Sequence, residues 1–228
     1  MKFSGILLMG GTGDRFGAHI PKQLLPLGEM LVYEHALSTF IHSGLFDEII
    51  IVSEPTLLEQ GVNISEEVMQ EGGSILLDSQ IKLVEGGATR QESSYKGICA
   101  CSEDTDYVVI HDGARPFVSE EIIERNIECV MRYGAINTCI PAPDAINIVQ
   151  NTKSKEVMGR DTCMLGQTPQ SFSIDLIREA HEKTKQKNAI DDCSLVQELG
   201  HPVHIVMGEQ INLKITTPQD LAFAKTLV

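Results

Sequence analysis

The sequence predicts an α/β fold: a Rossmann-like, mainly parallel sheet with helices on both faces and a protruding β-arm. Short apolar runs rich in β-branched residues alternate with longer segments whose apolar residues have helical spacing. This alternation is typical of a parallel sheet covered by helices. Glycine-rich or charged turns follow the first, third and fourth of these runs. The carboxyl ends of parallel strands meet at one edge, so we expect these turns to form a ligand site there.

The individual elements follow from these patterns in chain order. Strands are predicted at residues 3–8, 48–52, 81–84, 107–110, 135–140, 203–206 and, around a lysine, 211–215. Helices are predicted at residues 31–41, 92–101, from 120, 173–187, 192–199 and from 218. The helix from residue 120 has a clear start, because Ser119 can cap the first free amides and acidic residues follow it. Residues 57–80 are weakly patterned, and we interpret them as a helix and a loop.

Residues 141–170 break the alternation and predict the arm. Ala145–Val149 and Glu156–Met158 have the pattern of two hairpin strands, joined by a polar turn at Asn151–Lys155. An excursion of this length from a compact domain is typical of a lid or an oligomerisation element. We therefore expect a single domain over residues 1–228, with a dimerisation arm at about 141–170.

Composition restricts the classes of function. Hydrophobic residues make up 42% of the chain and the net charge is −14, so a nucleic-acid partner is not expected. No apolar run reaches the ~18 residues of a membrane helix. No signal peptide precedes the first strand, so we expect a cytoplasmic protein without a membrane partner. His201 and His204 are too few for a zinc site. The six cysteines have no C-x-x-C spacing and are interpreted as small buried apolar residues: Cys99, Cys101, Cys129, Cys139, Cys163 and Cys193.

The glycine-rich stretch Gly10–Gly17 is the strongest candidate for a phosphate site. Glycines let backbone amides close on phosphate oxygens without obstruction by a Cβ atom. The stretch lacks the Gly-Lys-Ser/Thr of a Walker loop and the spacing of the dinucleotide fingerprint. Two cations, Arg15 and Lys22, accompany it. The alternative is a tight turn with solvent-exposed charges.

Three further segments place polar groups near predicted strand ends. Gly86 and Gly87 precede a helix start, where free amides favour anion or ribose binding. Asp112 follows a buried strand, and such an acid commonly holds Mg²⁺ or a ribose hydroxyl; the alternative is a structural ion pair with Arg115. Lys214 stands in an apolar segment, and a buried ammonium is costly unless it meets an anion.

Together these motifs closely resemble the 2-C-methyl-D-erythritol 4-phosphate cytidylyltransferase family, over about residues 4–226. The sister ribitol-5-phosphate cytidylyltransferases share nearly all of them. The motifs are Gly10-Gly11-Thr12-Gly13-Asp14-Arg15, Pro21-Lys22-Gln23, Gly86-Gly87 with Arg90 and Ser93, His111–Pro116, Gln167–Gln170 and Asn212–Pro218.

The resemblance implies a nucleotide-diphospho-sugar transferase fold and a role for each matching residue. It implies a homodimer that exchanges arms, with CTP and a small sugar-alcohol phosphate as partners and Mg²⁺ or another divalent cation as cofactor. The implied catalytic residues are Arg15, Lys22, Arg160 and Lys214. The implied nucleotide-binding residues are Gly10, Gly11, Thr12, Gly13, Gly86, Arg90, Ser93 and Asp112, and Asp112 is also the implied metal contact. The implied acceptor-binding residues are Arg160, Thr168 and Lys214.

The acceptor stays open at this point. Ala145 stands where the erythritol-phosphate enzymes usually carry threonine, and the segment Gly166–Phe172 resembles the ribitol enzymes. His111–Arg115 and Asp191–Leu195 are more similar to the erythritol enzymes, so we expect transfer of CMP to 2-C-methyl-D-erythritol 4-phosphate. The alternative is formation of CDP-ribitol. A non-catalytic CTP-binding protein is a third possibility, although it has no use for the acceptor cations.

Overall fold

The computed structural model describes residues 1–10, 21–54 and 80–228. Within them the strands are β1 (Phe3–Leu8), β2 (Pro26–Leu27), β3 (Met30–Leu31), β4 (Glu48–Ser53), β5 (Ile81–Glu85), β6 (Tyr107–Asp112), β7 (Ala135–Pro141), β8 (Ile146–Gln150), β9 (Lys153–Met158), β10 (Met164–Ser173) and β11 (His204–Met207). The α-helices are α1 (Val32–His42), α2 (Arg90–Ala100), α3 (Glu120–Tyr133), α4 (Ile174–Lys183), α5 (Asp192–Glu198) and α6 (Pro218–Ala224). Short 3₁₀ turns cover Lys22–Leu24 and Arg160–Thr162.

Seven strands form the central sheet in the order β11–β7–β10–β6–β1–β4–β5. Pairs β1–β4, β1–β6, β4–β5 and β7–β11 are parallel, whereas β10 is antiparallel to both β6 and β7. The carboxyl ends of the parallel strands therefore lie at one edge of the sheet. This arrangement confirms the predicted mainly parallel α/β fold.

The two faces of the sheet carry separate apolar cores, because successive side chains of a strand point to opposite faces. Leu7 packs on one face with residues of α1 and α3 such as Phe40 and Ile122. Ile6 packs on the other face with residues of α2 and α4 such as Ile98 and Ile177. Helices thus cover both faces, as predicted.

The predicted strands and helices are present with shifts of one to a few residues at their ends, apart from one strand. Helix α3 begins where Ser119 accepts a hydrogen bond from the Ile122 amide, and it ends at Gly134, whose φ is 76°. Residues 211–215, predicted as a strand, instead form an irregular segment. Of the helix and loop expected at residues 57–80, all but residue 80 lies outside the described residues.

The structure also contains a strand that the sequence pattern did not predict. Ten residues, Met164–Ser173, form β10, and its last seven residues lie almost entirely in the interior. The chain re-enters the sheet at Met164, so the predicted arm ends earlier than residue 170. The hairpin itself is confirmed as β8 and β9, and it turns at Asn151 and Thr152, whose φ values are 50° and 63°.

No helix within the described ranges is long and apolar enough to cross a membrane. All six cysteines are free, and four of them are buried. Cys99 is exposed and Cys129 is intermediate, so the interpretation as buried apolar residues holds for four of the six.

Candidate active site

A cleft of about 290 Å³ opens at the carboxyl edge of the sheet, between the end of β6, the start of β10 and the segment after β11. Four of the predicted site residues contribute to it, although they lie far apart in the sequence. Its lining residues are Arg90, Asp112, Arg115, Gly166, Gln167, Thr168, Gln170, Ile190, Asp191 and Lys214.

Asp112 is the central charge of the cleft. Its Oδ1 lies 3.2 Å from Nε of Arg90, and its Oδ2 lies 2.6 Å from Nζ of Lys214. Burial by itself raises the pKa of this carboxyl group, but the two cations hold the pKa well below its usual range. Asp112 is therefore ionised at any pH at which the protein functions.

The anion that Lys214 was predicted to meet is thus Asp112, although the lysine does not lie in a strand. Arg115, the alternative partner, forms no direct ion pair with Asp112 in the described structure, although its charge also lowers the pKa of that carboxyl group. Arg115 donates from Nη1 to the carbonyl of Asn212 at 2.8 Å and from Nη2 to the carbonyl of Gly166 at 3.4 Å. Its guanidinium therefore ties two chain segments together at the cleft wall.

Thr168 supports the end of β6 from the neighbouring strand. The amide of Asp112 donates to Thr168 Oγ1 at 3.1 Å, and the same oxygen lies 3.1 Å from Nδ1 of His111. Nε2 of His111 lies 3.1 Å from the carbonyl of Arg115, which accepts only, so Nε2 carries the proton and Nδ1 accepts from Thr168. Burial lowers the pKa of His111 to about 4, in agreement with a neutral ring.

The glycine turn after β5 has a geometry that requires glycine. A Cβ atom on Gly87 would lie 2.3 Å from Cβ of Glu92. The Gly87 amide donates to Oγ of Ser93 at 3.1 Å, and this hydroxyl donates in turn to the carbonyl of Thr89 at 2.9 Å. Ser93 thus fixes the turn. A Cβ atom on Gly10 would lie 3.5 Å from the same hydroxyl, so Gly10 lies close to the turn that follows β5.

The other predicted site residues lie outside the cleft or outside the described part of the chain. Lys22 begins the 3₁₀ turn Lys22–Leu24, and the next residue, Gln23, donates to the carbonyl of Gly10 at 3.3 Å. Arg160 is exposed beyond the hairpin and does not line the cleft. Ala145 is exposed just before β8. The residues outside the described part are Gly11, Thr12, Gly13 and Arg15.

Comparison with known proteins places this chain in a family. The family model described as 2-C-methyl-D-erythritol 4-phosphate cytidylyltransferase matches residues 4–228. The chain belongs to this family. It is therefore a nucleotidyltransferase of the cytidylyltransferase class.

Relatives that carry the family name match along nearly their whole length. The protein of Clostridium beijerinckii is 38% identical over 99% of this chain and 97% of its own. The protein of Halalkalibacterium halodurans is 35% identical over 100% of this chain and 97% of its own.

Solved structures of the family share the fold. The Anaerococcus prevotii 4-diphosphocytidyl-2C-methyl-D-erythritol synthase superposes with a TM-score of 0.84 at 29% identity, covering 99% of this chain and 95% of that one. The Thermus thermophilus 2-C-methyl-D-erythritol 4-phosphate cytidylyltransferase gives 0.75 at 33% identity, covering 97% and 96%.

In this cytidylyltransferase, several residues that build the cleft were not predicted as site residues. Gln167 cross-links the cleft wall, because Nε2 donates to the carbonyl of Glu209 at 2.8 Å and Oε1 accepts from Asn212 at 3.2 Å. Gln170 links β10 to the amide of Asp192 and to the carboxylate of Asp191. The dense polar sequence Gln167-Thr168-Pro169-Gln170 was the available signal, since buried amides need partners.

The described part of the cytidylyltransferase offers no group of three or more His, Cys, Asp or Glu side chains that could hold a metal ion. Both oxygens of Asp112 are already paired with cations, so in this arrangement the carboxylate does not fit a metal ligand. The predicted contact between Asp112 and Mg²⁺ stays a prediction that the geometry does not favour.

Proposed function

We propose that this chain transfers CMP from CTP to 2-C-methyl-D-erythritol 4-phosphate and releases pyrophosphate. The observation that carries the proposal is the grouping of Arg90, Asp112 and Lys214 at the carboxyl edge of the sheet, in a chain that matches the family from residue 4 to 228. Two cations held in a cleft suit anionic substrates. The relatives also favour the erythritol acceptor over ribitol phosphate, because those described above carry the erythritol-phosphate name.

The reaction is an in-line displacement. An oxygen of the acceptor phosphate forms a bond to the α-phosphorus of CTP, the bond from that phosphorus to the α,β-bridging oxygen breaks, and pyrophosphate leaves with the electron pair. No protein nucleophile takes part, so catalysis comes from positioning and from cations placed where charge develops. Arg15 and Lys22 stabilise charge on the triphosphate, while Lys214 and Arg160 orient the acceptor phosphate.

The nucleotide is held by the two glycine turns together with Arg90, Ser93 and Asp112. The divalent cation enters as the magnesium complex of CTP. The support for this assignment is that both oxygens of Asp112 are paired with Arg90 and Lys214, which leaves the phosphates as the natural ligands of a hard cation.

The chain works as a single domain in an arm-exchanged homodimer in the cytoplasm. Apolar side chains on the hairpin support the dimer, because Val149 and Val157 are each 61% exposed and would be covered by a partner. The position of Arg160 beyond its own cleft supports its service to the neighbouring subunit. The six free cysteines agree with a reducing compartment.

A pyrophosphate-release assay tests the proposal, with CTP and magnesium and with each acceptor in turn. We expect turnover with 2-C-methyl-D-erythritol 4-phosphate, little with ribitol 5-phosphate, and a strong preference for CTP over ATP and GTP. Faster turnover with ribitol 5-phosphate would assign the sister activity. CTP binding without turnover of either acceptor would identify a nucleotide sensor.

A further inference from the structure

Arg90 lies between two carboxylates, of which only one belongs to the cleft. Its Nε lies 3.2 Å from Asp112 Oδ1, and its Nη1 lies 2.8 Å from Asp192 Oδ2. Asp112 lines the cleft, whereas Asp192 is 1% exposed and does not line it. A planar guanidinium held at two of its nitrogens has a fixed orientation, so the position of Asp192 determines how Arg90 faces the cleft.

Asp192 is itself held from several directions. Its Oδ1 accepts from Oγ of Ser94 at 2.7 Å and from Nε2 of His181 at 3.0 Å. Its amide donates to Oε1 of Gln170 at 3.1 Å. The carboxylate is thus held by α2 and α4, and the backbone of the same residue is held by β10.

We infer that Asp192 is a positioning residue of the nucleotide site, which orients Arg90 and, through Arg90, the carboxylate of Asp112. The inference rests on the proposed function, because it requires Arg90 to contact the nucleotide. Without Asp192, Arg90 keeps, among the described residues, its hydrogen bond to Asp112 at 3.2 Å, and its charge can turn toward solvent. Asp112 then loses a fixed partner, and Lys214 is the ion-pair partner that it keeps within the described part of the chain.

A double-mutant cycle tests this coupling through CTP kinetics and through calorimetry of CTP binding without acceptor. The variants are Arg90→Ala, Asp192→Asn and the pair. We expect Asp192→Asn to lower kcat/KM for CTP by about 10²-fold, since small misplacements of a binding group have effects of this size. In the Arg90→Ala background, the same change should alter kcat/KM by less than about twofold.

Two further variants keep the test decisive if Asp192→Asn folds poorly. Ser94→Ala removes one hydrogen bond that holds the carboxylate of Asp192. It should lower kcat/KM for CTP by less than Asp192→Asn does, and this effect should also vanish in the Arg90→Ala background. Ser171→Ala is the matched control. The buried hydroxyl of Ser171 donates to Oδ1 of Asn126 at 2.9 Å, and it makes no contact with Arg90. This control variant should lower the melting temperature without changing CTP kinetics.

An equal loss in both backgrounds, or unchanged CTP kinetics in Asp192→Asn, would overturn the inference. Wild-type turnover tests the proposed function separately, because the coupling is read only from ratios between variants and from CTP binding. A crystal structure of Asp192→Asn gives a readout that does not depend on catalysis. We expect the contact between Arg90 and Asp112 to be lost in it, and its retention would also overturn the inference.

Discussion

Lys214 Nζ and Asp112 Oδ2 lie 2.6 Å apart, although their positions in the sequence differ by 102. The pair joins the end of β6 to the irregular segment after β11, so it closes one side of the cleft. The lysine side chain is 35% exposed and the carboxylate 10%. Lys214 therefore stays partly open to the cleft while Asp112 holds its ammonium group.

Substitution of Lys214 tests this arrangement. We expect Lys214→Met to lower kcat/KM for the acceptor by about 10²-fold or more, because a cation aimed at a phosphate is lost. Lys214→Arg should recover part of the activity, since it keeps the charge with a different geometry. Steady-state kinetics measure both, with Lys183→Met as the control because Lys183 is an exposed lysine paired with Glu179. An unchanged kcat/KM for the acceptor in Lys214→Met would contradict the role of Lys214 in binding the acceptor phosphate.

Thr168 gives a second prediction, because its hydroxyl serves both the amide of Asp112 and the ring of His111. Thr168→Val leaves two buried polar groups without a partner and should lower the free energy of unfolding by about 2 kcal/mol. Urea unfolding measures this loss, and Thr168→Ser, which keeps the hydroxyl, should retain most of the stability. If Thr168→Val instead keeps full stability and only raises KM for the acceptor, Thr168 contacts the acceptor directly.

His111 predicts a pH dependence of stability. Its folded pKa of about 4 is depressed below the ordinary value of 6.5, so its contribution is present above pH 6.5. That contribution is lost as the pH falls toward 4, by roughly 3 kcal/mol over the window. Urea unfolding between pH 7 and pH 4 should show this decline. His111→Gln should show a shallower slope over the same range, and equal slopes would contradict a buried neutral histidine.

The carboxylate of Glu48 titrates in a lower window and can be separated from His111. Burial raises its pKa, but hydrogen bonds from Lys82, Ser102 and Ser4 outweigh burial and lower the pKa from 4.5 to about 2. The stability from this network is present above pH 4.5 and is lost as the pH falls toward 2. We therefore expect Glu48→Gln to flatten the stability profile below pH 4.5 while leaving the His111 window unchanged.

The proposed arm exchange predicts complementation between inactive variants. Arg15→Ala and Arg160→Ala should each be nearly inactive as homodimers. In a mixed dimer one site receives both changes and the other receives neither, so random mixing should restore roughly a quarter of wild-type activity. Mass spectrometry first establishes that subunits exchange. Mixed dimers without activity would mean that Arg160 serves its own subunit.

The sequence predicts most of the sheet because its parallel strands are continuous apolar, β-branched runs, such as Glu48–Ser53. Strand β10 could not be predicted in this way, since its buried part contains Gln167, Pro169 and Gln170. These polar residues are satisfied by cross-links to distant segments, which local patterning does not reveal. The strand prediction for residues 211–215 failed for the opposite reason. Their pattern fits a strand, but the carbonyl of Asn212 accepts a hydrogen bond from Arg115 instead of from a neighbouring strand.

The cleft was predictable where a charge stands at a strand end, as for Asp112. The ion-pair partners of the cleft residues could not be predicted, because local sequence spacing does not indicate which residues about 100 positions apart will pair. Arg90 and Asp192 are such a pair, and so are Asp112 and Lys214.

Pro141 at the end of β7 pairs directly with Met164 at the start of β10. The chain therefore leaves the sheet and re-enters it at one point. Residues 142–163, which lie between, are not part of the central sheet. The entropic cost of closing a loop grows only slowly with its length, so insertions or deletions at the hairpin tip cost the sheet little. The hairpin tip at Asn151 and Thr152 can thus change length and sequence during evolution, while Arg160 at the base of the arm and the strands of the sheet keep their places.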